Sequence, residues 1–215
     1  MSHTIDDIAI FIAAYDDIGR SALSPSQLAD ISGMASEKRR HERELTYTLI
    51  NHAAEACGRY AMLAGAALGH LESGAPFLKT GLQEPIEIAI SISHCRTGAC
   101  IALSEHHRHF GIDIEDTSDK LERVASKFIN DNETRFMTGR DMLLCAWTIK
   151  EAVYKAAATA GLPLRDGIGI KAIGQRAGDP VSHFPVESTI TAAGKSYRGY
   201  SRIDSSRCIT LCRRI

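Results

Sequence analysis

Asp113 and Glu115 stand two apart in FGIDIED (110–116), between Ile112 and Ile114, with a further carboxylate at Asp116. On an extended strand such residues share one face at a spacing of about 6.6 Å, so both carboxylates can converge on one oxygen-loving cation. A divalent ion such as magnesium would remove their mutual repulsion. In WTIKEAVYK (147–155), Trp147, Glu151 and Lys155 fall four apart and form one helical stripe, with Lys150 and Tyr154 on the stripe beside it. His94 closes the segment SISH. Each motif alone has a plainer explanation: a solvated strand face for D-x-E, an i,i+4 ion pair for Glu151 and Lys155, and a capped strand end for His94. Together they supply carboxylates, lysines and a histidine, the groups that a magnesium-bound pyrophosphate with cations on its remaining oxygens requires.

The elements that must position these groups follow from periodicity. IEIAISISH (86–94) alternates, with Ile86, Ile88, Ile90 and Ile92 on one face; GACIALS is its hairpin partner and FGIDIED a third strand. IDDIAIFIAAY reads as one strand, and Ser24-Pro25 opens a short helix. The Ala- and Leu-rich stretch from Ser36 to about Leu71 predicts one long helix and a second helical piece, its first turns strongly basic. Ser118 can cap a helix bearing Leu121, Val124, Ala125 and Phe128, and Asn130 with Glu133 signals a further helix start. DMLLCAWTIKEAVYKAAATAG is a long helix ended by Gly161 and Pro163, followed by the strands GIGIKAI, ESTITAA, KSYRGYSRI and RCITLCR. The order predicts an α+β chain whose two parts echo one another, divided into residues 1–110 and 111–215, with the metal-site motifs in the second.

Composition narrows the class. The 215 residues are 44% hydrophobic, enough for a substantial core. Twenty-five Lys and Arg against twenty-six Asp and Glu leave a net charge of −1, which gives no reason to expect sequence-independent binding to nucleic acid. No apolar run is long enough for a bilayer, and the start lacks the basic region of a signal peptide, so a cytoplasmic protein is expected. The six cysteines contain no CxxC pair and read as small buried apolar residues. EHHRHF reads as a solvated turn ahead of the acidic strand.

SISH, GIDIE, FINDNE and WTIKEAVYKA, in this order and spacing, resemble the signature of the 4'-phosphopantetheinyl transferases. ASEKRRHERE upstream is similar to the basic N-terminal helix of that family, and GLPL downstream follows its pattern. The resemblance spans roughly Ser36 to Ile170 and points to the two-lobed type, in which two similar α/β lobes pack in pseudo-twofold fashion within one chain, as a monomer with pseudo-dimer architecture. It implies Mg2+-dependent transfer of 4'-phosphopantetheine from coenzyme A to a serine of an acyl or peptidyl carrier protein, releasing adenosine 3',5'-bisphosphate.

By that resemblance Asp113, Glu115 and Glu151 would hold the metal, Glu133 or Glu151 would accept the serine proton, and Lys155 would offset charge on the phosphoryl oxygens. Lys150 would grip the pyrophosphate, and His94 with Lys38, Arg39, Arg40 and Arg43 would meet the 3'-phosphate of coenzyme A. Three positions depart from the pattern: Tyr47 where many relatives carry arginine, Cys95 where Ser or Thr is usual, and Ala158 where glycine is frequent. A non-catalytic coenzyme A or carrier-protein binding module of the same fold is the alternative. A different nucleotide enzyme would need a GxxxxGK phosphate loop, which the sequence lacks.

Overall fold

The computed structural model describes residues 2–19, 22–175 and 184–215. The chain divides into two compact units, the first ending at His107 and the second running Arg108–Ile215. Each mixes helix and sheet in an α+β arrangement.

In the first unit, strands β1 (Ser2–Ile5) and β2 (Ile8–Ala14) form a hairpin where one strand was expected. The reason is local: Asp6 and Asp7 take positive φ of 47° and 63°, a two-residue turn that aspartate tolerates and that matches strand twist. Helix α1 (Pro25–Ser32) starts as expected, with Ser24 accepting from the Gln27 amide and Gln27 reaching back to the Ser24 amide. Helix α2 (Glu37–Ala56) leaves its basic first turns in solvent and buries Leu45, Leu49, Ile50 and Ala53 in the core with Phe11, Ile101 and Leu103.

The predicted second helical piece is not an α-helix. After Cys57, which is extended, come a 3-10 segment (58–63) and then strand β3 (Ala67–His70), paired with β4 (Pro76–Lys79). Gly65 at φ 72° turns the chain, and the Phe77 ring lies directly over Gly69, where no side chain would fit. Strand β5 begins only at Ala89 (Ala89–His94), because Ile86 bonds back to Leu78 and Ile88 to Ile86. It pairs with β6 (Gly98–Ser104) as expected, and the sheet order is β1-β2-β6-β5.

The acidic strand β7 (Phe110–Asp116) belongs to the second unit. It pairs with β11 (Arg207–Arg214), followed by β10 (Lys195–Ile203), β9 (Val186–Ala192) and β8 (Ile168–Gln175). Helix α3 is only Lys120–Val124, and the expected helix from Asn130 is a series of turns. Asn130 and Glu133 do make the reciprocal capping bonds, at 3.0 and 3.2 Å, but the glutamate also engages partners from other segments. Helix α4 (Arg140–Ala157) packs on β7 and β11 through Ile149, Ala152, Val153 and Ala156. It stops earlier than expected, at Ala158, which sits in the left-handed region at φ 48°.

Gly111 sets the distance between α4 and β7. A Cβ there would collide with the Ala152 carbonyl oxygen and approach Lys155 Cβ to 2.8 Å, so helix backbone rests directly on the strand. This contact brings the stripe of α4 to Asp113 and Glu115.

Candidate active site

The stripe of α4 meets the acidic face of β7 point for point. Lys155 Nζ donates to Asp113 Oδ1 at 2.8 Å and to the Ile112 carbonyl at 2.9 Å. Trp147 Nε1 donates to Glu115 Oε1 at 3.1 Å, and its ring meets Phe128 edge-on at 5.2 Å between centroids, which fixes the indole. Glu151 lies between these contacts on the helix, and its carboxyl is raised by burial first and by the Asp113 charge second. Burial and then Asp113 push Glu115 up from 4.5 to about 7, against the Trp147 hydrogen bond and the Lys155 charge. Three carboxylates of one sign thus crowd a half-buried spot whose nearest cation is Lys155.

Lys150 and Glu133 pair with each other. Their ion pair is 2.8 Å long with side-chain exposures of 0% and 1%. Lys150 Nζ also donates to the Leu164 and Ile168 carbonyls at 3.0 and 2.8 Å, which with Glu133 uses all three donors. Glu133 accepts from the Asn130 and Ile170 amides at 3.0 and 2.7 Å. Neither side chain faces solvent. The pair ties α4 to the turns after α3 and to β8.

The remaining expected cations lie in the first unit. A cavity of about 760 Å3 is lined by Arg39 and Arg43 of α2, His94 at the end of β5 and His70 at the end of β3, among others. His94 is braced by α2: its Nε2 is 2.8 Å from Thr46 Oγ1 and 2.9 Å from the Glu42 carbonyl. Lys38 does not line the cavity but points to solvent, 84% exposed, beside Glu42 at 3.6 Å. Arg40 is not among the lining residues and donates to the Met34 carbonyl at 2.8 Å. His70 escaped the sequence reading because its strand was read as helix. Burial lowers its pKa, and the neighbouring Arg43 lowers it further.

The donor chemistry of Asp113, Glu115 and Glu151 suits a hard divalent ion, since all are carboxylates whose crowding such an ion would relieve. Among the described residues, however, no three His, Cys, Asp or Glu side chains already stand where they could hold a metal. Lys155 on Asp113 and Trp147 on Glu115 engage two of the three. The histidines of EHHRHF make a turn, with the His106 and His107 amides on Ser104 Oγ. Cys208 and Cys212 are buried, Cys208 against Thr148.

Residues 109–210 match the family model of the 4'-phosphopantetheinyl transferase superfamily. The matched span contains β7, α4 and the whole carboxylate cluster. No curated protein matches the chain. No helix among the described residues is long and apolar enough to cross a membrane.

Proposed function

We propose that the protein is a 4'-phosphopantetheinyl transferase of the two-lobed type, moving phosphopantetheine from coenzyme A to a serine of an acyl or peptidyl carrier protein. The observation that carries this reading is the seating of the Trp147–Glu151–Lys155 stripe on Asp113 and Glu115 inside the span that matches the family. Asp113, Glu115 and Glu151 would hold Mg2+, which supplies charge neutralisation at the diphosphate of coenzyme A.

Glu151 accepts the proton of the attacking serine hydroxyl. Its partial exposure supports that role, whereas Glu133 is sealed by its amide and ammonium partners. The serine oxygen bonds to the β-phosphorus, and the P–O bond to the leaving adenosine 3',5'-bisphosphate breaks with its electron pair. Lys155, held by Asp113 and Ile112 yet 28% exposed, meets the phosphoryl oxygens. The cationic cavity of the first unit, with Arg39, Arg43 and His94, suits the 3'-phosphate end of coenzyme A.

The test is intact mass of an apo carrier protein after incubation with this protein, coenzyme A and Mg2+. A phosphopantetheine increment is expected, lost in Asp113→Ala. Binding of coenzyme A without any increment would instead identify a non-catalytic binding module.

A further inference from the structure

We propose that Tyr47 and Asp30 form a positioning device that keeps Arg43 available to a phosphate in the first-unit cavity. This rests on the reading that the cavity takes the nucleotide end of the substrate. Arg43 lines the cavity, whereas Tyr47 and Asp30 do not. The Tyr47 side chain is wholly buried, and its hydroxyl donates to Asp30 Oδ2 at 2.6 Å while accepting from the Leu68 amide at 3.3 Å. The same oxygen, Asp30 Oδ2, faces Arg43 Nη1 at 3.4 Å, too far for a full hydrogen bond. The guanidinium carbon also lies 5.9 Å from the centre of the Tyr47 ring.

Two donors thus face one carboxylate oxygen, and the phenol has the closer place. Burial, followed by the Asp30 hydrogen bond, raises the Tyr47 hydroxyl to about 12, so it remains a donor at any physiological pH. The carboxylate is also fixed from its own side. Helix α1 is tied to α2 by reciprocal Gln27–Asn51 amide bonds of 3.0 and 3.1 Å, and to the following loop by Gln27 Nε2 on the Ala66 carbonyl at 2.8 Å. Asp30 thus orients Arg43 without closing into the short bidentate pair that would neutralise it. With the hydroxyl gone, the carboxylate is released to close on Arg43 and draw the guanidinium off the cavity.

The experiment is titration calorimetry of the full chain with adenosine 3',5'-bisphosphate and with adenosine 5'-monophosphate, the ratio of the two affinities isolating the 3'-phosphate. Wild type should favour the bisphosphate. Tyr47→Phe should reduce that ratio about tenfold, and adding Asp30→Asn should restore most of it, since an amide cannot neutralise Arg43. A merely structural role for Tyr47 would weaken both ligands alike and would not be rescued by the second change. An undiminished ratio in Tyr47→Phe, or a double variant worse than the single one, overturns the device while leaving the cavity assignment intact. Failure of wild type to bind either nucleotide overturns both.

Discussion

Helix α4 carries two lysine–carboxylate pairs of the same length with opposite meanings. Lys150–Glu133 and Lys155–Asp113 both measure 2.8 Å, but the lysine is 0% exposed in the first pair and 28% exposed in the second. In the first, Lys150 spends its other two donors on carbonyls and Glu133 accepts from two amides, so the pair is closed. In the second, Lys155 uses two donors among the described residues, and two further carboxylates crowd the same region with raised pKa values. Ion-pair distance therefore does not separate a closed pair from an open one. Completeness of the surrounding hydrogen bonds does.

The comparison breaks most directly at the open pair. Asp113→Ala is expected to lower phosphopantetheine transfer by about a thousandfold or more, and Lys155→Met by about a hundredfold, as when a charge or donor aimed at the reacting phosphoryl group is removed. Intact mass of the carrier protein measures both, with circular dichroism confirming the fold. Retention of full activity in either would deny the open pair its part.

At the closed pair the loss should be in stability. Glu133→Ala strands a buried ammonium and should cost about 3–5 kcal/mol in urea unfolding, with activity per folded molecule staying within a few-fold of wild type. Replacing both partners, as Glu133→Leu with Lys150→Met, should recover much of that loss because no buried charge remains. A double variant no more stable than Glu133→Ala would show that the amide contacts of Glu133 matter more than its charge.

A smaller effect should appear with pH in protein stripped of divalent ions. Glu115 titrates near 7 when folded against 4.5 ordinarily, raised by burial and Asp113, with Glu151 adding to the rise and Trp147 and Lys155 opposing it. The carboxyl holds its proton more tightly folded than unfolded, so its contribution to stability is whole below 4.5 and is lost as pH climbs through about 7. Thermal midpoints measured from pH 5 to 8 should show a decline that Glu115→Gln reduces and that added Mg2+ offsets. An identical slope in the variant would mean that the crowding is absent. Smallest of all, Ala158→Gly should raise stability by about 0.5–1 kcal/mol, because the residue ending α4 occupies left-handed space at φ 48°.

Much of the carboxylate cluster was legible before any fold. Alternation around Asp113 and Glu115 and the four-residue spacing of Trp147, Glu151 and Lys155 are local periodicities, and β7 and α4 carry them as read. The errors arose where a local signal was satisfied by something other than the expected element. Asn130 and Glu133 make their capping bonds without a helix, because Glu133 also serves Lys150 and Ile170. Residues 58–70 have helical composition, but Gly65 turns the chain and Gly69 admits the Phe77 ring, and a strand carries His70 to the cavity. Nothing in the spacing from Asp30 to Tyr47 announces that they share a hydrogen bond across two helices.

By itself the sequence determined which side chains share a face, since the periods of strand and helix are properties of the backbone. Partnership between faces was decided only by tertiary packing. The approach of α4 to β7 at Gly111 chose Asp113 for Lys155, and the enclosure of Lys150 by Glu133 and two carbonyls withdrew it from solvent. Burial and the final count of hydrogen bonds depend on segments far apart in the chain, and these set the charge and reach of each group.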